Sequence, residues 1–532
     1  MKKIIVLFFM TVMTVSLWAV PPMDYAGKDG SLKPETVSSG KSPFLKSPEA
    51  SARSGKAARK VSSSGTKYIP VVLVDFPDRP FLSGHDKNYY KKIYETDTEK
   101  LTMKEFYKTM SDNNLVLEFQ IYGPYTAANQ VSYYGADDDK NVGELIKEII
   151  DCLITDPEGG ASTFDENSRF DSDSTGGVDV LLIIYAGSGE DSTGIDGDIW
   201  AHKWDVKNAF MQAGISGDSY NFNEYTIQSE TSTRNSETGI GAACHEFGHI
   251  LGLPDLYDTN YETSGLGDWS VMSGGSWGSR GTEEDPAPMT AYERYKLGWL
   301  TPQLLNPDVP GTVEFRSDLQ DPEYKAYRIN LTDDGKQFLM LEGKKKKADG
   351  TGMFVPESGL FITQINEERY EAAKAANRVN TGKNRIHAVD VLEAVTTELV
   401  DENYTGSWGS LWTSDSKESG TVAFRSETRT QIGSSFMYSV LAGSALLLGI
   451  SLFRKKNRGR ALFLTLCAAA MLFASCSLEI GSSGKKVLFK ANTNYYTGGR
   501  LESKTGISGV VISDITFNET TGIGSFSYSR ER

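Results

Sequence analysis

Cysteine is scarce in this chain, four in 532 residues, too few to hold a fold of that length together through disulfides. Histidine is nearly as scarce: His85, His202, His245, His249 and His387 are all there are. Positive charge is short as well. Lys and Arg number 55 against 70 Asp and Glu, a net −15. A phosphate binder needs a basic face, so this balance argues against nucleic acid as a main partner. No collagen period, heptad array or internal repeat is found. Proline is low, 18 against 52 glycines, which fits a loop-rich fold containing strands. What is present suffices for a sizeable core: hydrophobic residues at 39% and aromatics at 11% exclude wholesale disorder. The length corresponds to roughly three to four domains.

Long apolar runs are confined to three places. Lys2 and Lys3 precede the first, over 4–19, which ends on the small residue Ala19. A basic start, a short apolar stretch and a small residue before the cut are the features of a secretory signal peptide at 1–19. Residues 20–66 are rich in Ser, Gly, Pro and basic side chains and read as a linker or short pro-segment. The chain is then expected to be exported, to the extracellular space, cell surface or periplasm. A disulfide is permitted there, and Cys152 and Cys244 are the pair available, although isolated buried cysteines are common.

The second run, 436–453, is uncharged. Its 18 residues make about 27 Å of helix, enough to span a membrane and anchor the C-terminal part of the chain. The basic stretch 454–460 after it stays cytoplasmic. The third run, 461–477, supports two readings. It returns the chain outward as a membrane hairpin. Alternatively, with Leu472-Phe473-Ala474-Ser475-Cys476 it resembles a bacterial lipoprotein signal with Cys476 as the lipidated residue. The last 70-odd residues, this run and the tail 478–532 together, would then derive from a joined second reading frame. Phe473 stands where Leu is usual.

Between these signals the pattern predicts an α+β fold. β-branched and apolar runs predict strands at 69–76, 115–122 and 178–185, with an edge strand at 224–229. Helices are predicted at 98–110, 142–153, 239–251 and 288–300. From 301 the pattern changes to short strands between turns, at 313–315, 326–329, 338–342, 360–365 and 389–393. The expected layout is a first domain at 67–300 and a β-rich domain at 301–430. The basic run 344–347 reads as a solvated tip.

The sharpest chemical signal is Cys244-His245-Glu246-Phe247-Gly248-His249-Ile250-Leu251-Gly252-Leu253-Pro254-Asp255. His245 and His249 are four apart, so one helix face presents both imidazoles about a turn from each other. That separation suits two corners of a zinc tetrahedron. Glu246 is offset enough to miss the metal and reach the water it activates, the role of a general base. A catalytic zinc needs a third ligand and an open position. Gly252 permits a left-handed helix end, after which the chain can turn back and deliver Asp255. Asp258 and Glu262 are rival ligands.

These residues, followed by Trp269-Ser270-Val271-Met272-Ser273, resemble the metzincin clan of zinc endopeptidases, with Met272 as the Met-turn. More closely, Gly252-Leu253-Pro254-Asp255-Leu256-Tyr257-Asp258 and the stretch from Asp268 to Trp277 are similar to the immune inhibitor A group of secreted bacterial metallopeptidases. Tyr133-Tyr134-Gly135 and Ile199-Trp200-Ala201-His202-Lys203-Trp204 fit that group too, and the resemblance covers roughly 67–425. It implies a metzincin-like catalytic domain at 67–300, with a twisted sheet, an active-site helix and a Met-turn, then a β-rich region. It implies Zn2+ as cofactor and proteins or peptides as substrates. The long pro-domain usual in such enzymes is nearly absent. Gly274 stands two residues after Met272, where some metzincins carry a tyrosine.

A second candidate site is Asp171, Asp173 and Asp179, which with Gly176 resembles the front half of a calcium loop. Leu182 stands where its bidentate Glu would be, so an acidic turn is the competing reading. At the level of function, the alternative to a protease is a catalytically silent, metal-stabilised adhesin or binding module. A metal-dependent hydrolase of non-peptide bonds is a third.

Overall fold

The computed structural model describes residues 18–19, 61–158, 164, 169–174, 176–216, 221–232, 239–261, 263–346, 352–381, 387–392, 495–497 and 510–530. Glu262, the apolar runs 436–453 and 461–477, the basic stretch 454–460 and Cys476 lie outside the described residues, as does most of 1–60. Among the described residues no helix is long and apolar enough to cross a membrane.

The architecture is mixed α/β. Strands β1 (Trp18–Ala19), β2 (Gly65–Asp75), β3 (Leu115–Thr126), β4 (Val178–Ser188), β5 (His202–Asp205) and β6 (Phe222–Thr231) form the first sheet, in the order β1-β5-β6-β4-β2-β3. The four strands β3, β2, β4 and β6 run parallel. β5 is antiparallel to β6, and β1 to β5. The helices are α1 (Lys87–Lys91), α2 (Met103–Met110), α3 (Val131–Asp139), α4 (Val142–Thr155), α5 (Glu190–Thr193), α6 (Val206–Gln212), α7 (Gly241–Ile250), α8 (Ala291–Lys296) and α9 (Glu367–Ala373).

Caps explain why two helices are shorter than their apolar pattern. The predicted helix at 98–110 begins only at Met103, because the Thr102 hydroxyl accepts from the Glu105 N–H at 3.1 Å. The one predicted at 288–300 begins at Ala291 behind a Thr290–Glu293 capping box. The segment predicted as an edge strand, 224–229, is instead interior. β6 is paired on one side with β4 and on the other with β5, and β5, at four residues, is too short to announce itself in sequence.

A second sheet contains β7 (Gln303–Leu305), β9 (Tyr327–Asn330), β10 (Gln337–Lys344), β11 (Gly359–Asn366) and β12 (Val389–Val391), in the order β12-β11-β10-β9-β7. A third contains β8 (Gly311–Arg316), β13 (Tyr495–Thr497), β14 (Val510–Asn518) and β15 (Ile523–Arg530), in the order β13-β14-β15-β8. Strands from the C-terminal tail thus complete a sheet that begins at residue 311.

Side-chain alternation assigns the faces. On β4, Val180, Leu182 and Ile184 enter one core while Leu181, Ile183 and Tyr185 enter another, against α4. On β10, Phe338 and Met340 join the first of these cores, and Leu339 and Leu341 face the third sheet. β4 and β10 are therefore covered on both faces, which is why they read as unbroken apolar runs. The core between the first two sheets also contains Cys244, Phe247 and Ile250 of α7.

The same inward register removes Lys344 from the solvated tip expected at 344–347; Lys345 is half-buried, Lys346 is exposed and Lys347 lies outside the described residues. Lys344 is 4% exposed, with its Nζ 5.0 Å above the Phe361 ring and 3.5 Å from Glu342 Oε1. As the last residue of β10 it falls on a covered face, where a carboxylate and an aromatic ring offset the loss of water.

Candidate metal centre

Helix α7 is fixed at both ends. Its first N–H groups have no partner within the helix, and Glu283, 41 residues away, takes them. The Glu283 carbonyl accepts from Ile240 and Gly241 at 2.9 and 3.0 Å, and its carboxylate accepts from the Ala242 N–H at 2.8 Å. At the other end Gly252 has φ +93°, and its N–H donates to the His249 carbonyl at 2.9 Å, while Leu253 N–H donates to that of Gly248 at 3.1 Å. This is a Schellman ending. It reverses the chain in the way Gly252 suggested and brings Asp255 back toward the helix.

His245, Glu246 and His249 are all buried on α7, and one donor atom of each lies within 4.8 Å of the others. His245 Nδ1 lies 2.7 Å from the Val271 carbonyl, and His249 Nδ1 lies 2.8 Å from that of Leu253. A carbonyl cannot donate, so each Nδ1 carries a hydrogen and each ring turns its Nε2 inward, bare where the ring is in its neutral form. Burial pushes the His249 imidazole below its usual value, with Asp255 pulling the other way, which favours that neutral form. The two Nε2 atoms are 3.1 Å apart. Asp255 Oδ1 lies 3.0 Å from His245 Nε2 and 3.3 Å from His249 Nε2. Burial alone would raise Asp255, but the neighbouring His249 and His245 hold its carboxyl down at about 2.

Two Nε2 atoms and a carboxylate oxygen therefore converge on one point in a dry interior, an arrangement that a bound cation or a shared proton reconciles. The dimensions fit: bonds of about 2.0–2.1 Å to a tetrahedral ion give ligand–ligand edges of about 3.3–3.4 Å, close to the distances seen. Imidazole and carboxylate donors together suit zinc. The rival Asp258 is turned to its own loop, its carboxylate accepting from the Asn260 N–H at 2.9 Å and the Thr263 hydroxyl at 3.2 Å.

Met272 is fully buried beneath the helix. A Cβ added at Gly248 would meet its sulfur at 2.3 Å, so glycine at that place lets the thioether sit directly under the site. The turn is held by Ser270, whose hydroxyl accepts from the Met272 N–H at 2.9 Å and donates to Glu293 at 2.7 Å. The cap of α8 thus also anchors the turn at Met272.

The carboxylates of Asp171, Asp173 and Asp179 approach one another within 4.8 Å. Asp171 accepts from the Gly176 N–H at 2.9 Å, and Asp179 accepts from the Ser172 N–H at 2.9 Å. Cys152 and Cys244 are both free thiols. His85 and His202 are engaged elsewhere, His85 with Glu230 at 2.6 Å and His202 with the Trp200 carbonyl and the Tyr225 hydroxyl.

Two residues that shape the site carried no sequence signal. Glu283 caps α7 from a loop, and Asn377 bonds to Asp255 from the second region. Neither lies in a motif or at a telling spacing, and each is joined to its partner only by the fold.

Residues 56–300 match the immune inhibitor A peptidase M6 catalytic domain. The chain is similar to the pre-pro-metalloprotease PrtV of Vibrio cholerae serotype O1 (strain M66-2), 27% identical over 285 residues that cover 45% of this chain and 30% of that protein. It is also similar to Immune inhibitor A of Bacillus thuringiensis subsp. alesti, 28% identical over 239 residues, 38% of this chain and 34% of the other. The match spans about a third of each relative's length. The family found is the one that the His245–Asp255 and Met272 motifs resemble.

Proposed function

We propose that the immune inhibitor A-like region at 56–300 makes this chain a zinc-dependent metalloendopeptidase, exported and cutting peptide bonds of extracellular proteins. The observation that carries the reading is the triangle of His245 Nε2, His249 Nε2 and Asp255 Oδ1, with edges of 3.0–3.3 Å, beside a buried Glu246. Zinc, when bound, supplies a Lewis acid that polarises a carbonyl and lowers the pKa of water. His245 and His249 hold it through Nε2, each kept in one tautomer by a backbone carbonyl, and Asp255 through Oδ1. Glu246 accepts the proton of the attacking water and passes it to the leaving amine. Met272 packs below and keeps the imidazoles from shifting.

The finer parts of the proposal rest on sequence. The fold of 67–300 is metzincin-like, with 301–430 its β-rich companion. Residues 1–19 direct export, and the linker expected at 20–66 ends sooner, because Gly65 and Thr66 already pair in β2 and Ser63 bonds to Leu297 and Trp299. The chain is attached to a membrane through 436–453 and 461–477, or through a lipid on Cys476; the N-terminal residue of the mature C-terminal product separates the two. Asp171, Asp173 and Asp179 form a calcium loop, a reading supported by the approach of their carboxylates.

A silent, metal-stabilised adhesin would have no use for an acidic side chain between the two imidazoles. The test is Glu246→Gln. Stoichiometric zinc with casein cleavage reduced at least ~10²-fold is expected, since general acid–base work contributes about that much, and chelator should abolish cleavage by the parent. Cleavage retained in Glu246→Gln would remove Glu246 from the role. A parent that binds zinc but cuts no protein would favour the adhesin.

A further inference from the structure

The geometry points to Asn377 as the residue that positions Asp255 for the metal, an inference that rests on the metal-site reading above. Asn377 belongs to the second region, just after the short turn Lys374–Ala376 that follows α9, and is 122 residues from Asp255 in the chain. It is 5% exposed. Its carboxamide makes two bonds to a single residue. Oδ1 accepts from the Asp255 backbone N–H at 2.8 Å, and Nδ2 donates to Asp255 Oδ2.

The pair of bonds leaves no ambiguity about the amide. The Asp255 N–H can only donate, so Oδ1 must face it and the NH2 group must face the carboxylate. That donor occupies Oδ2. Oδ1 of the same carboxylate is left directed at the two imidazoles, at 3.0 and 3.3 Å. Backbone and side chain of Asp255 are thereby gripped together, which removes the side-chain freedom that a carboxylate following a glycine turn would otherwise have.

Asparagine suits this task by chemistry. Ionised aspartate could not donate, lysine could not accept, and leucine, of the same branched shape, could do neither. Asn377 adopts φ +51°, a left-handed conformation that asparagine tolerates better than most residues. The grip extends along the chain. Asn380 donates to the Leu256 carbonyl at 2.8 Å, and Thr381 and Thr259 share a hydrogen bond of 2.8 Å. The segment 377–381 thus clasps 255–259 and makes the second region part of the metal centre.

The test is zinc affinity by chelator competition, together with the visible absorption of the cobalt-substituted protein, in the full chain. Asn377→Ala is expected to weaken zinc about 10–100-fold, the usual effect of removing a ligand's supporting partner, and to alter the cobalt spectrum. Asn377→Leu, which keeps the count and branching of side-chain heavy atoms, should do the same if the alanine variant folds poorly. Because Asn377 acts through Asp255, Asn377→Ala should add nothing to the loss already caused by Asp255→Ala. A merely structural role would instead lower the urea midpoint and leave affinity and spectrum unmoved. Asp255→Ala losing zinc affinity while Asn377→Ala and Asn377→Leu keep it would overturn the role of Asn377. Full zinc affinity in Asp255→Ala would overturn the metal-site reading itself.

Discussion

Single side chains at this centre are committed in one direction only. His245 and His249 spend Nδ1 on carbonyls, Asp255 spends Oδ2 on Asn377, and what remains of each converges inward. The second acidic cluster differs. Asp173 sits between Asp171 and Asp179, with three carboxylates close together, and Asp179 is raised above the usual range by burial despite hydrogen bonds from Ser172. A divalent ion would remove that repulsion. Added calcium is therefore expected to raise the melting temperature of the zinc-loaded protein by a few degrees, about 1 kcal/mol of linkage, and Asp173→Asn should abolish the rise. A calcium-independent melt would leave the cluster as an acidic turn. At this scale the sequence was informative where spacing repeats a helical turn, as for His245 and His249. It was silent about Asn377, because no local rule ties an asparagine at 377 to an aspartate at 255.

At the scale of elements, helix α7 depends on a cap it does not contain. Its N-cap residue, Ile240, offers no side-chain acceptor, and the loop residue Glu283 does the work for three consecutive N–H groups. Glu283→Ala is expected to cost about 0.5–2 kcal/mol, the range for losing a side-chain cap, read as a lower urea midpoint. Glu283→Gln, whose amide oxygen can still accept from Ala242, should cost less. Equal stability of all three proteins would mean that the backbone carbonyl of Glu283 suffices. Most strands and the helices α2, α4, α7 and α8 were legible from period and composition, whereas α1, α3, α5, α6 and α9 were not. The ends were not: Thr102 and Thr290 set helix starts through side-chain caps, whereas the apolar pattern runs on past them.

On the scale of the whole molecule, three sheets share two intervening cores, and the C-terminal hairpin closes the outer one. Val510, Ile512 and Phe526 are fully buried. The Phe526 ring packs 5.6 Å from Tyr327 and 6.3 Å from Phe315, and β15 pairs with β8 along six residues. This pairing requires the hairpin and the region at 311–366 to lie in one compartment, whatever happens to the chain between them. Thr312 and Ser527 are opposite in register, with hydroxyls 2.9 Å apart. Thr312→Cys with Ser527→Cys is expected to form a disulfide in an oxidising medium. It would hold the two fragments together after proteolysis between 392 and 510 until reductant is added. Failure to cross-link in an oxidising medium would show that the hairpin is not docked.

The sequence by itself determined the pair of imidazoles, the glutamate between them and the left-handed exit at Gly252, because each is set by backbone geometry within about two helical turns, while the methionine turn was legible only through the resemblance of its motif. Only the tertiary structure decided that Glu283 caps the helix, that Asn377 grips Asp255, that β6 is interior and that Lys344 is buried. Those facts depend on which distant surfaces exclude water from one another, and local periodicity carries no record of that choice.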